Sequence, residues 1–266
     1  MTITQKAIKI GAIALGLLLV VGIVSGVVSV IGMIAGFGES AVNDEITAYE
    51  VSDNVTELII EVGAASLTVE ESDSFGVESN LRWLTVTDSN GRLKVVERSH
   101  KGADYKDAIL KVYIPKDFVF DKIEITSGAG ELSADTLRAK NVSLEFGAGN
   151  IEIDGLYASS SVEIESGAGE VNINGGELPH LDLSIGAGKA NIKAKLTGSC
   201  DLEFGVGGAD IILLGDESDY TLRIDRGIGD VRVDGKSIAN STTIGNGAAR
   251  IEMDCGVGSI NVSFSK

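Results

Sequence analysis

The chain has 266 residues, is 44% hydrophobic and carries 34 glycines against two prolines. That apolar content excludes a disordered glycine-rich linker, which has too little apolar surface to offset the entropy of ordering. The 39 acidic residues outnumber 22 basic ones, for a formal charge of −17, which argues against nucleic acid and anionic headgroups as electrostatic partners.

Residues 1–9 form an N-terminal tail holding Lys6 and Lys9, and no charged residue follows until Glu39. The uncharged run 10–37 would rise about 42 Å as a helix, more than the roughly 30 Å hydrocarbon core requires. It is also about twice the apolar stretch of a cleaved signal peptide. The run predicts one transmembrane helix with the bilayer as partner. The two lysines place the N-terminus in the cytoplasm. The remaining chain, with 20 basic and 39 acidic residues, then lies outside with a net charge of −19. Gly22-x-x-x-Gly26 and Gly32-x-x-x-Gly36 fit either helix-mediated self-association or an ordinary glycine-rich helix.

Residues 38–47 read as a short stalk and 48–120 as an irregular N-terminal β part. Within the latter, Gly63-Ala64-Ala65 sits between two alternating segments like a degenerate repeat. Segments 81–87 and 93–97 flank Asp88-Ser89-Asn90-Gly91, a hairpin signal. A solenoid needs its open end covered against edge pairing, and this part is suited to be that cap.

Residues 121–266 are repetitive. Gly-x-Gly occurs at Gly128/Gly130, Gly147/Gly149, Gly167/Gly169, Gly186/Gly188, Gly205/Gly207, Gly227/Gly229, Gly245/Gly247 and Gly256/Gly258, at spacings of 19, 20, 19, 19, 22, 18 and 11 residues. Apolar residues stand three and five places before the first glycine of most triplets, as Ile125 and Ile123, Leu144 and Val142, or Ile164 and Val162. After the second glycine they return at places two and four, as Ile151 and Ile153 or Val171 and Ile173. Both flanks have the period-two pattern of a half-buried strand. Unbroken alternation would turn the residue after the triplet inward, yet Glu131, Asn150, Glu170, Lys189 and Asp230 stand there. The chain therefore turns at Gly-x-Gly, where glycine tolerates angles closed to other residues. Alanines between the glycines fit a close-packed corner.

One such unit cannot bury its apolar side alone, but stacked units can. The expected fold is all-β: a single-stranded β-helix or solenoid of about 19–20-residue rungs with Gly-x-Gly corners, after one N-terminal transmembrane helix. The final spacing of 11 predicts a half rung ending in a strand at 261–265.

Val112-Tyr113-Ile114-Pro115-Lys116, the apolar segment 120–125, Ser127-Gly128-Ala129-Gly130-Glu131-Leu132 and the serial units after them resemble the bacterial "putative adhesin", or toastrack, domain family of unknown function. The resemblance covers roughly residues 50–266. It implies a β-solenoid, often behind a membrane anchor in the bacterial cell envelope, with some members associated with envelope-stress systems. It implies no catalytic residues.

Candidate chemistry is thin. A dinucleotide loop needs a third glycine that opens a helix, and none of the triplets has one. Asp234-Gly235-Lys236-Ser237 resembles the end of a phosphate loop, but Asp230 stands where its first glycine belongs. Glu131, Glu152, Asp154, Glu163, Glu165, Glu170 and Asp182 could attract calcium, yet the nine-residue calcium-roll repeat is absent and a solvated acidic face is the simpler reading. His100 and His180 read as loop residues, and Trp83 is the only tryptophan, few aromatics for a polysaccharide-active enzyme. Cys200 and Cys255 face inward, two to three rungs apart by count, as free thiols. No catalytic, cofactor or metal residue is assigned, and the twelve glycines from Gly128 to Gly207 and at Gly227 and Gly229 are structural. The expected function is a non-catalytic, single-pass, membrane-anchored interaction module for an envelope protein or polysaccharide. The alternatives are an accessory of envelope-stress signalling acting through membrane partners and, less favoured, a polysaccharide-active enzyme.

Overall fold

A computed structural model describes residues 39–98 and 102–265. The segment expected to span the membrane lies outside the described residues, and no helix among these is long and apolar enough to cross a membrane. The described chain is all-β apart from one three-residue helical turn, Glu217–Asp219. Its fourteen strands join in one open sheet, consistent with a β-solenoid.

Alternation builds the rungs. β1 (Val42–Glu50) buries no residue; in strands β2 (Glu57–Ser72), β3 (Gly76–Leu81), β5 (Arg92–Glu97), β6 (Ile109–Pro115) and β7 (Phe120–Ile173) inward residues are mostly aliphatic, and β4 (Leu84–Ser89) alternates half-buried with exposed residues. β7 runs through successive corners without losing its ladder. Its inward residues Leu132, Ala134, Leu137, Ala139, Val142, Leu144 and Phe146 break parity after 134 and after 139; the glycine corner breaks it again before Ile151. The wall thus changes direction three times per turn. The chain continues through β8 (Gly176–Pro179), β9 (Leu181–Thr197), β10 (Ser199–Leu214), β11 (Tyr220–Val233), β12 (Lys236–Ser237), β13 (Thr242–Gly245) and β14 (Ala249–Ser265). One hydrophobic cluster fills the interior from Val55 to Val262.

Rungs stack parallel and in register. β2 pairs with β7 so that Ala64 lies against Ala129, making Gly63-Ala64-Ala65 the first corner. Beyond β2 the sheet closes with short strands: β5 and β6 run parallel to its two halves. β4 pairs antiparallel with β5 through the Asn90-Gly91 turn, whose two positive φ values of 54° and 76° suit a two-residue hairpin. β3 pairs with β6, and β1 with β3, so Val42–Glu50 overlaps the expected stalk as a paired strand.

The C-terminal end departs from the expected half rung. β14 is a full rung and lies between β10 and β11, with Val206 opposite Val257 and Val257 opposite Ile228. Spacing along the chain misled because the chain leaves the stack after Val233. It turns at Asp234-Gly235, lays β12 and β13 antiparallel on the outer edge of β11, and re-enters beneath that strand. Gly245 and Gly247 therefore belong to this excursion and not to the corner column; the Gly247 N–H donates to the Tyr220 carbonyl at 3.0 Å. This order leaves the last rung covered by short antiparallel strands, which blunts an edge that could pair with another chain.

Candidate functional site

The corner column is the spine on which every outer side chain is placed. The first glycines stack carbonyl over α-carbon: an added Cβ at Gly128 would lie 2.7 Å from the Gly63 carbonyl oxygen, and one at Gly147 would lie 2.5 Å from that of Gly128. The second glycines also have positive φ, for example +139° at Gly169, where a Cβ would strike the Gly149 carbonyl oxygen. Gly167, Gly186, Gly188, Gly205, Gly207, Gly227 and Gly229 continue the column, with Gly256 and Gly258 between the last two pairs.

Each end of the column is closed by a side chain. At the first rung no further Gly-x-Gly corner lies beyond Gly63 among the described residues; instead the buried Glu97 carboxylate accepts from the Gly63 N–H at 2.8 Å and from the Tyr105 hydroxyl at 2.7 Å. At the last, the Asn240 amide accepts from the Arg226 N–H at 2.7 Å and donates to its carbonyl at 3.1 Å.

Two outer faces flank the column, and their chemistry differs. After the corner, Asn172, Asn191, Asp210, Asn261 and Arg232 form one cross-rung ladder. Its members satisfy one another: Asn191 donates to Asn172 at 2.6 Å and Asn261 to Asp210 at 2.7 Å. Lys189 pairs with Asp210 at 2.5 Å. Hydrogen bonds from Lys189 and Asn261 hold the Asp210 carboxyl below its ordinary value.

Before the corner, carboxylates dominate. Glu163, Asp182, Asp201 and Glu252 occupy one column, which ends on Arg223; Glu165, Ser184, Glu203, Asp254 and Asp225 occupy the next. Neighbouring rungs are about 4.8 Å apart, so like charges face each other. Arg223 is engaged by Asp225 at 3.1 Å, and among the described residues no ion pair reaches the other seven carboxylates. Partial burial, then the charges of Asp182 and Glu252, push the Asp201 carboxyl up. Burial followed by Asp201 does the same for Glu203, and burial followed by Asp225 for Asp254.

The acidic residues singled out from sequence thus divide. Glu163, Glu165 and Asp182 lie on the carboxylate face, whereas Glu131, Glu152, Asp154 and Glu170 follow the corner. Among the described residues no three His, Cys, Asp or Glu side chains converge as a metal-holding group. His180 sits at a turn with φ of 47° and accepts weakly from the Ser199 N–H at 3.4 Å, a local role. His100 lies outside the described residues. Cys200 and Cys255 are buried, and burial raises both thiol pKa values. They lie on adjacent rungs, closer than counting implied, because β14 is inserted. Cys200 is opposite Ile251 and Cys255 opposite Phe204, so four residues along the strands still separate them.

One feature escaped sequence reasoning. The middle corner residue is alanine at 64, 129, 148, 168 and 187 but becomes Val206, Val257 and Ile228 on the last three rungs. These are exposed by 41%, 45% and 72%. The signal was present in Gly-Val-Gly and Gly-Ile-Gly, but contiguity needed the rung order.

A model of the family described as Toastrack DUF4097 matches residues 55–263. The chain belongs to the toastrack family. This toastrack chain is also similar to several solved structures. A putative adhesin from Bacteroides fragilis is 14% identical, covering 83% of this chain and 98% of that one, with a TM-score of 0.41. A putative cell adhesion protein from Clostridium sporogenes is 14% identical over 83% and 99% of the two chains, at 0.38. A putative lipid binding protein from Parabacteroides distasonis is 15% identical over 85% and 98%, at 0.31. No curated protein matches the toastrack chain.

Proposed function

We propose that this toastrack protein is a non-catalytic interaction module of the bacterial cell envelope. In this reading residues 10–37 anchor it in the membrane as a single pass, the N-terminus is cytoplasmic, and the rungs present an adhesin-like surface outside to a protein or polysaccharide. The observation that carries the reading is the regular outer wall: side chains repeat in register from rung to rung on a frame of parallel paired strands. A wall of this kind presents many equivalent contacts to an extended partner. Its polar ladders either satisfy one another or face solvent, with no nucleophile–base pair among them.

The test uses the full chain in nanodiscs, titrated with purified cell-wall sacculi and, separately, with solubilised envelope proteins. Saturable binding to either supports the module, and absence of binding to both refutes it. Deleting residues 1–38 separates an autonomous binder from an accessory that acts through membrane partners. The autonomous binder keeps its affinity, while the accessory retains no effect on an envelope-stress reporter.

A further inference from the structure

The corner geometry does not require the large residues that the last rungs carry. Five earlier corners are built with alanine in the same place, and the glycines on either side make the stacking contacts. Val206, Val257 and Ile228 nevertheless form a continuous ridge, one residue per rung, at the end of the stack far from β1. Three adjacent β-branched side chains in water cost more hydration than three alanines would. Each is preceded at three residues' remove, roughly 10 Å along its strand, by a carboxylate of the column before the corner: Glu203, Asp254 and Asp225. Asp201 and Glu252 stand behind these, with Arg223 tied to Asp225 and Arg226 to Asp230 at 3.8 Å.

We propose that this ridge, with the carboxylate columns beside it, is the docking surface for a cationic segment of a partner polypeptide that also carries apolar side chains. Charge selects the occupant. On the ridge rungs the columns hold Asp201, Glu203, Glu252 and Asp254 without an ion-pair partner among the described residues, on a chain of net charge −17, so nucleic acid and anionic lipid are repelled. A second copy would bring the same acidic columns against themselves. A polysaccharide without cations gains nothing from the columns. A lysine- or arginine-bearing segment crossing the rungs meets a carboxylate about every 4.8 Å, while its apolar side chains cover the ridge and exclude water from the pairs. The inference rests on the proposed binding role and names the partner chemistry for one end of the wall.

The test uses the full chain in nanodiscs of zwitterionic lipid, with empty nanodiscs as background. The probes are short peptides alternating Lys and Leu, Lys and Ser, or Glu and Leu. The Lys-Leu peptide is expected to bind tightest, with affinity falling at least tenfold when salt is raised so that exposed pairs are screened. Ile228→Ser weakens it about tenfold, since an isoleucine side chain loses a buried contact. Asp201→Asn with Asp254→Asn weakens it by a similar factor. Ala148→Ser, on an early corner, leaves binding unchanged, and unaltered circular dichroism shows that each variant folds. Equal binding of Lys-Ser and Lys-Leu, or wild-type affinity in Ile228→Ser, overturns the proposal. If the nanodisc-held protein still binds sacculi or envelope proteins in that case, the module reading stands and only this assignment falls.

Discussion

Replacing Gly169 by alanine separates the two constraints on the corner. The residue has φ of +139°, and a Cβ there would collide with the Gly149 carbonyl oxygen. Holding a non-glycine residue in a sparsely populated backbone region costs about 1–3 kcal/mol, and forcing extra volume into a packed site costs about 1–3 kcal/mol more. The sum, roughly 2–6 kcal/mol, is a large share of the roughly 5–15 kcal/mol that holds a typical domain together. Two companions isolate the parts. Gly235 has φ of +73° with nothing within 4 Å of an added Cβ, so Gly235→Ala carries only backbone strain, about 1–2 kcal/mol. Gly147→Ala carries only the clash with Gly128, about 1–3 kcal/mol. Urea unfolding of the full chain followed by circular dichroism gives the three values. If Gly169→Ala lies within about 0.5 kcal/mol of Gly235→Ala, the tolerance to which independent effects add, the stacking clash contributes nothing and the corner column is refuted.

Further outcomes follow from the ends and faces of the stack. Glu97→Ala removes the carboxylate that accepts from Gly63 and Tyr105, leaving the Gly63 N–H without its side-chain acceptor; about 1–3 kcal/mol of lost stability is expected in the same urea assay, and no loss contradicts its closing role. Removing residues 249–265 strips β10 and β11 of their shared partner, and size-exclusion chromatography should show self-association through the opened edges; a monodisperse product argues against the inserted order. The raised carboxyls of Asp201, Glu203 and Asp254 take up protons more readily folded than unfolded, so they make stability rise as pH falls from neutral through their raised range. Asp210 acts oppositely: its contribution, present above the ordinary value of 3.8, is lost as pH falls through its lowered one. Thermal unfolding against pH should show the rise, and Asp201→Asn, Glu203→Gln and Asp254→Asn together should flatten it.

Much of the wall was legible from residue order. Alternation such as Val142, Leu144 and Phe146 fixes which side is buried, and the slip from Phe146 to Ile151 locates the corner, because both follow from local backbone geometry. Rung order was not legible. Parallel register between Val206 and Val257 is a long-range fact, and the spacing from Gly247 to Gly256 records only the length of an excursion over β11. The same gap hid the apolar ridge: Val206 and Ile228 look like neighbours by repeat count, but Val257 lies between them. The carboxylates were visible individually, yet their division into a self-satisfied ladder and an unpaired one depends on which side of the glycines each occupies. Glu97 and Asn240 gave no sequence signal, since a closing side chain is defined by the end it meets.

The account depends most on the rungs lying outside the membrane, where a partner can reach them. Ile228→Cys puts a thiol on the most exposed corner, while the native Cys200 and Cys255 are buried with raised thiol pKa values and should label little. In cells whose inner membrane is intact, a membrane-impermeant maleimide should label Ile228→Cys before lysis and Thr2→Cys only after it. Labelling of Ile228→Cys only after lysis would contradict the account.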